Sequence, residues 1–240
     1  AGTAYTDAGA SAEDAVDGTV TVITSGSVTE GIPGIYTLSY IAADAAGNTS
    51  MVTRKVTVQD TIGPLITLSG SSTMTHEAGT AYTDAGASAE DAVDGSVTVT
   101  TSGLVVFVGP GIHTITYSAT DAAGNTSTEI RTIEVKDTTP PVITLNGSTT
   151  VTHEAATTYT DAGATATDTV DGLVSVTTSG SVTEGTPGTY TLNYSATDAA
   201  SNTSMATRKV TVQDTTAPVI TLSGSATMTH EAGTVYSDAG

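Results

Sequence analysis

Apolar and polar residues alternate along much of this 240-residue chain instead of recurring every third or fourth position. In IHTITYSATD (112–121), His113, Ile115, Tyr117 and Ala119 share one face, and Ile112, Thr114, Thr116 and Ser118 share the other. Successive side chains of an extended chain point to opposite faces, so this period of two predicts a half-buried strand. The same pattern carries Tyr36, Leu38, Tyr40 and Ala42, and again Tyr190, Leu192, Tyr194 and Ala196. Shorter alternations follow at Val56 and Val58, Ile133 and Val135, and Val210 and Val212. Opening strands are expected around Ile66 and Leu68, Ile143 and Leu145, and Ile220 and Leu222, with further strands at SVTVTT (96–101) and LVVFV (104–108). Gly-Pro joints (GIPG, GPG, GTPG) separate them. No stretch combines a helical period with caps, and short strands at this spacing predict an antiparallel sandwich.

The pattern itself repeats. YTDAGASAEDAVDG occurs at 5–18 and 82–95, YTDAGATATDTVDG at 159–172, and YSDAG at 236–240, so Tyr5, Tyr82, Tyr159 and Tyr236 recur at one constant interval. A fixed period sets the architecture before any local reading. The natural boundaries are VQDTIGPLITL (58–68), VKDTTPPVITL (135–145) and VQDTTAPVITL (212–222), where proline makes a short, stiff linker. This divides the chain into 1–59, a repeat lacking its first strand; 60–136; 137–213; and 214–240, the start of a further repeat. Residues 1–59 resemble 155–213 more than either resembles the middle repeat, which suggests an A–B alternation whose unit is a pair of repeats.

Composition adds constraints. With no Trp, no Cys and one Phe, each core must come from Val, Ile, Leu and Tyr. A repeat of about 77 residues is near the lower size for a self-sufficient core. The net charge of −19, from 25 acids against six Lys and Arg, leaves no basic stripe for nucleic acid and opposes docking on anionic lipid, but it favours cations. No run is long and apolar enough to span a membrane.

The segments DTTPPVITLNGS, YTDAGATATD, GTYTLNYSATDAASN and RKVTVQD resemble the bacterial surface-protein immunoglobulin-like repeat, and are similar to hyalin-type and cadherin-like repeats of large adhesins. The resemblance covers essentially the whole chain. It implies an all-β fold of tandem immunoglobulin-like antiparallel β-sandwich repeats, each of about 77 residues. It also implies an extracellular protein at the bacterial cell surface, and it does not by itself imply an activity; no enzyme is expected, because an active site is seldom repeated in every module of a string.

Acids recur at the same interval: Asp60, Glu77, Asp84, Asp91, Asp94 and Asp121 in the middle repeat, and Asp137, Glu154, Asp161, Asp168, Asp171 and Asp198 in the third, with Asp7, Asp14, Asp17 and Asp44 in the first. If DAGASAEDAVDG (84–95) is a loop after the second strand and DAAGN (121–125) joins the last two, then Asp60, Asp84, Asp91, Asp94 and Asp121 crowd one pole, facing the preceding repeat. Like charges that close repel unless a cation intervenes, and Ca2+ takes several carboxylate, carbonyl and amide oxygens. Asn125 could add a ligand, and Asp137, Asp161, Asp168, Asp171, Asp198 and Asn202 form the equivalent set. Asp and Asn also cap tight turns without any metal, and acids keep an edge-rich β protein soluble.

Other constellations read as structural. His76, His153 and His230 each precede a Glu, which suggests surface pairs, and His113 stands at a core-facing position. Arg54, Arg131 and Arg208 share the parity of the buried Val or Ile two residues later, so each is expected to find a partner among the acids. The lysines have outward parity, which argues against isopeptide cross-links. NTS at 48–50, 125–127 and 202–204 fits the glycosylation pattern but lies in a turn. Paired carboxylates without aromatic platforms argue against a glycosidase.

Three functions follow: a structural stalk of an adhesin; a filament whose copies join head to tail by strand donation; or a module binding a glycan or protein. The expected partners are neighbouring repeats or other copies of the chain, with the host or matrix ligand open.

Overall fold

The computed structural model describes residues 4–237, and every regular element among them is a β-strand. Contacts divide the chain into two units, Ala1–Asp137 and Thr138–Gly240. In the first unit, the first repeat supplies β1 (Ala12–Asp14), β2 (Gly18–Val20), β3 (Val22–Ser25), β4 (Gly34–Ala43) and β5 (Thr49–Val58). The second repeat supplies β6 (Leu65–Leu68), β7 (Thr73–Glu77), β8 (Ala87–Asp91), β9 (Gly95–Val97), β10 (Val99–Ser102), β11 (Gly111–Thr120) and β12 (Thr126–Lys136). The second unit holds the third repeat: β13 (Val142–Leu145), β14 (Thr150–Glu154), β15 (Ala164–Asp168), β16 (Gly172–Val174), β17 (Val176–Ser179), β18 (Gly188–Thr197) and β19 (Thr203–Gln213).

The second repeat forms two sheets, β6-β8-β9 and β10-β11-β12-β7, and the third forms β13-β15-β16 and β14-β19-β18-β17 in the same order. Across the layers, β6 packs on β11 and β12, and β13 on β18 and β19. Two segments serve both sheets. Residues 95–102 pass from one sheet to the other, with Thr98 between β9 and β10. The opening strand crosses over between Leu68 and Thr73, so β7 lies parallel to β12, with Thr73 opposite Thr132 and Glu77 opposite Lys136, while the other pairings are antiparallel.

The core follows the alternation. Ile115, Tyr117 and Ala119 of β11 and Ile133 and Val135 of β12 are buried, and Leu192, Tyr194, Ala196, Val210 and Val212 repeat this in the third repeat. The first repeat has no counterparts of β6 and β7 among the described residues. Its Val56 and Val58 are half-buried, where Ile133 and Val135 are sealed.

Two sequence expectations give way. Residues 104–108, LVVFV, form no strand. Gly103 (φ +110°) turns the chain after β10 so tightly that a Cβ there would sit 2.4 Å from the Thr114 carbonyl oxygen. Val105 then plugs the core from a loop, while Leu104, Val106 and Val108 stay exposed. The acidic stretch 84–95 is not one loop either, because its centre is the strand β8, which turns Ala89 and Asp91 inward and leaves Ser88 and Glu90 exposed. In the tail, 214–237 contains no strand among the described residues, and Val219 and Ile220 are exposed.

Candidate functional site

Because β8 is a strand, its acids are parted. Asp84 precedes it and Asp91 ends it, so Asp84 does not join the pole where Asp60, Asp91 and Asp94 meet. The expectation that all five acids crowd one end is corrected for Asp84, and for its equivalent Asp161 ahead of β15. The five residues of β8 alone span about 16 Å, and Asp84 is occupied elsewhere.

Its partner is Arg131. The Arg131 side chain is 2% exposed and forms an ion pair with Asp84. Its Nε donates to the Ser71 carbonyl at 3.1 Å, and Nη2 donates to the carbonyls of Ser69 and Gly86. Tyr117, fully buried, donates its hydroxyl to Asp84 at 2.7 Å, and the Arg131 guanidinium lies 5.4 Å from the Tyr117 ring centre. Tyr82 and the Gly86 amide also donate to Asp84. Arg208, Asp161 and Tyr194 repeat the arrangement in the third repeat, and Arg54, Asp7 and Tyr40 repeat it, more openly, in the first. The arginines thus find the acidic partner that their core-facing parity requires, since an unpaired buried charge is costly.

The electrostatics fit a structural pin. Burial alone would raise the Asp84 carboxyl, but hydrogen bonds from Tyr117 and Arg131 outweigh it and hold the group below the usual carboxylate range. Burial and the bond to Asp84 push the Tyr117 phenol up to about 12, and Tyr194 behaves alike beside Asp161.

The acidic pole is a separate site. One carboxylate oxygen each from Asp60, Asp91 and Asp94 lies within 4.8 Å of the others. At that distance each pair repels by about 1 kcal/mol even in water, and more where solvent is excluded. Asp91 is 8% exposed, and its Oδ1 accepts the amides of Val93 and Asp94, which closes the β8–β9 turn. Asp94 accepts the Ala122 amide at 2.8 Å and so ties that turn to the β11–β12 turn. There Asp121, 6% exposed, accepts the backbone and side-chain amides of Asn125, both at 2.7 Å. Burial would raise the Asp121 carboxyl, and those bonds hold it low. The Asn125 amide also reaches the Ile62 carbonyl at 3.5 Å, and Gly63 lies against Thr126 and Ser127, so the linker packs on this turn. One oxygen, Asp60 Oδ2, is buried without a hydrogen-bond partner.

In the second unit, Asp168 closes the β15–β16 turn, Asp171 accepts the Ala199 amide, and Asp198 holds Asn202. Asp168 Oδ2 is likewise buried and unpartnered. Asp137, the last residue of the first unit, is buried. The three NTS asparagines, Asn48, Asn125 and Asn202, all bind the Asp four positions earlier, as turn caps do.

His76, His153 and His230 each pack against a Thr and a Tyr that a reading of simple His–Glu pairs does not name. His76 Nε2 lies 3.1 Å from the Thr80 carbonyl and hydroxyl oxygens, and its ring packs edge-on against Tyr82 and Phe107. His153 and His230 make the same Thr and Tyr contacts. Where the second repeat has Phe107, the others have Glu30 and Glu184, which accept the amides of Tyr5 and Tyr159. Reading each His with its neighbouring Glu missed these partners; the Tyr six positions later was the usable signal.

Tandem all-β sandwiches, each pinned by an Arg–Asp–Tyr set and joined by Pro-bearing linkers, define a class of immunoglobulin-like modular protein. The chain belongs to the family described as bacterial surface protein, Ig-like domain, which matches residues 1–58, 66–135 and 143–212. An uncharacterized 81.3 kDa protein of Acholeplasma phage L2 is 31% identical over 126 residues, 48% of this chain; the chain spans only 16% of that relative's length. Among solved structures, a lipoprotein from Bacteroides thetaiotaomicron is 29% identical over 32% of this chain and 40% of its own (TM-score 0.30). The human CDH23 segment EC21-23 is 16% identical over 73% of each chain (TM-score 0.35). The family is one of bacterial surface proteins. No helix among the described residues is long and apolar enough to cross a membrane.

Proposed function

We propose that this chain is a spacer in a bacterial surface adhesin, a non-catalytic run of modules that holds a distal binding region away from the cell, with joints stiffened by Ca2+. The observation that carries this reading is the recurrence of one module with the same acidic pole beside a short linker. The linker does not swing free at the second repeat: Ile62 and Gly63 rest on Asn125, Thr126 and Ser127. Each repeat is set by strands of 10 or 11 residues, about 35 Å at 3.3 Å per residue, so a stiff row of repeats makes reach from few residues.

The cation reading is supported by Asp60, Asp91 and Asp94, whose convergence is unfavourable without positive charge, and by the buried, unpartnered Asp60 Oδ2. Hard oxygen donors suit Ca2+ better than a transition metal. Asp121 and Asn125 shape the neighbouring turn. Melting the chain in Ca2+ and in chelator, with small-angle scattering on both, tests the proposal. Ca2+ is expected to raise the melting temperature and the maximum dimension, and Asp91→Asn to reduce both gains. Identical curves in Ca2+ and chelator would remove the ion, and a compact or freely bending chain in Ca2+ would remove the spacer.

A further inference from the structure

Glu154 ends β14, within the third repeat, yet its carboxylate turns to the linker that follows β19. It accepts the Thr215 amide at 2.9 Å, the Thr215 hydroxyl at 2.7 Å and the Thr216 hydroxyl at 3.0 Å. The strand pairing makes this possible. β14 runs parallel to β19, with Glu154 opposite Gln213, so both strands end at the same level and the carboxylate overhangs the departing chain. Asp214 completes the turn by accepting the Thr216 amide at 3.1 Å.

We propose that Glu154 is a positioning residue for the joint: a latch that fixes the direction in which the chain leaves the third repeat, independently of any bound cation. The acid is held on a paired strand, so it is a rigid anchor, and the linker contributes three donors over two residues. Three charge-assisted bonds to one carboxylate restrict the backbone torsions of residues 214–216, which proline at 218 does not reach. The linker letters encode the latch, because Thr-Thr after the Asp supplies the two hydroxyls. The linker after the first repeat reads Asp60-Thr61-Ile62, with Ile62 at the Thr216 position, and no counterpart of β14 carries a latching Glu there among the described residues. The latch deepens the spacer reading and takes its purpose from it.

Amide hydrogen exchange and 15N relaxation on the full chain test the latch in chelator, so that no ion contributes. Loss of a bond to a charged acceptor predicts that Glu154→Ala speeds exchange at Thr215 by about tenfold or more, with raised fast motion at residues 214–217 and unchanged protection in β18 and β19. Glu154→Gln keeps one carbonyl oxygen as an acceptor and is expected to fall between Glu154→Ala and the wild type. Equal Thr215 exchange in the wild type and both variants would overturn the proposal. So would a rise shared by the β18 and β19 amides, since the carboxylate would then support the sandwich and not the joint. The readout at Thr215 stands whether or not scattering finds the chain extended.

Discussion

Replacing Arg208 by Met isolates what the buried pin contributes. The side chain is 1% exposed, and its removal strips a cation from Asp161 and donors from the carbonyls of Ser148 and Asn146. Asp161 keeps Tyr194, Tyr159 and the Gly163 amide, but its charge is left without a counterion. Breaking a buried pair by deleting one partner costs about 3–5 kcal/mol. A repeat of this size holds roughly 4–12 kcal/mol in all, so the change removes a large part of it. At about 4–8 °C per kcal/mol for such a domain, the third repeat is expected to melt at least ~12 °C lower. Scanning calorimetry of the whole chain reads this with an internal control, because the second repeat keeps Arg131. Arg208→Met combined with Asp161→Leu is expected to recover more than half of the loss, since the uncompensated charge is gone. A single variant melting within ~4 °C of the wild type, the shift of about 1 kcal/mol or less, would refute the reasoning. A double variant no better than the single would do the same.

Two further outcomes follow from the same geometry. Tyr117 and Tyr194 ionise only near about 12 in the folded chain against 10.0 unperturbed, so the stability they contribute is present below pH 10 and lost as pH rises towards 12; phenolate absorbance is expected to show these two titrating late, and to show them joining the rest in denaturant. Ser201 adopts φ +74° where Gly47 and Gly124 stand in the other repeats, so Ser201→Gly is expected to stabilise the third repeat by about 0.5–1 kcal/mol, read as a higher denaturant midpoint.

The strands and the modular plan were legible because both rest on short-range periodicity: Ile115, Tyr117 and Ala119 announce their face by spacing alone. The need of Arg54, Arg131 and Arg208 for an acid was legible too, from parity with buried neighbours. Which acid answers was not. Small residues such as Ala87 and Ala89 make a strand that reads as a loop, and only the pairing of β8 with β6 and β9 reveals that Asp84 and Asp91 lie at opposite ends of it. The crossing of the opening strand between sheets was hidden for a similar reason, since an alternating pattern does not say which sheet a strand joins. At 104–108, five apolar residues imitate a strand, but the tight turn at Gly103 depends on contact with Thr114, further along the chain.

The six basic residues occupy one kind of place. Arg54 and Lys55 lie on β5, Arg131 and Lys136 on β12, and Arg208 and Lys209 on β19, the closing strand of each repeat. A protease that cuts after lysine or arginine must draw several residues of extended chain into its cleft, and it works best on exposed loops. Here the loops hold no such residue, and two of the arginines are sealed in the interior. At Arg131 and Arg208, digestion by trypsin-like enzymes therefore has to wait for a sandwich to open, a useful property for a bacterial surface protein.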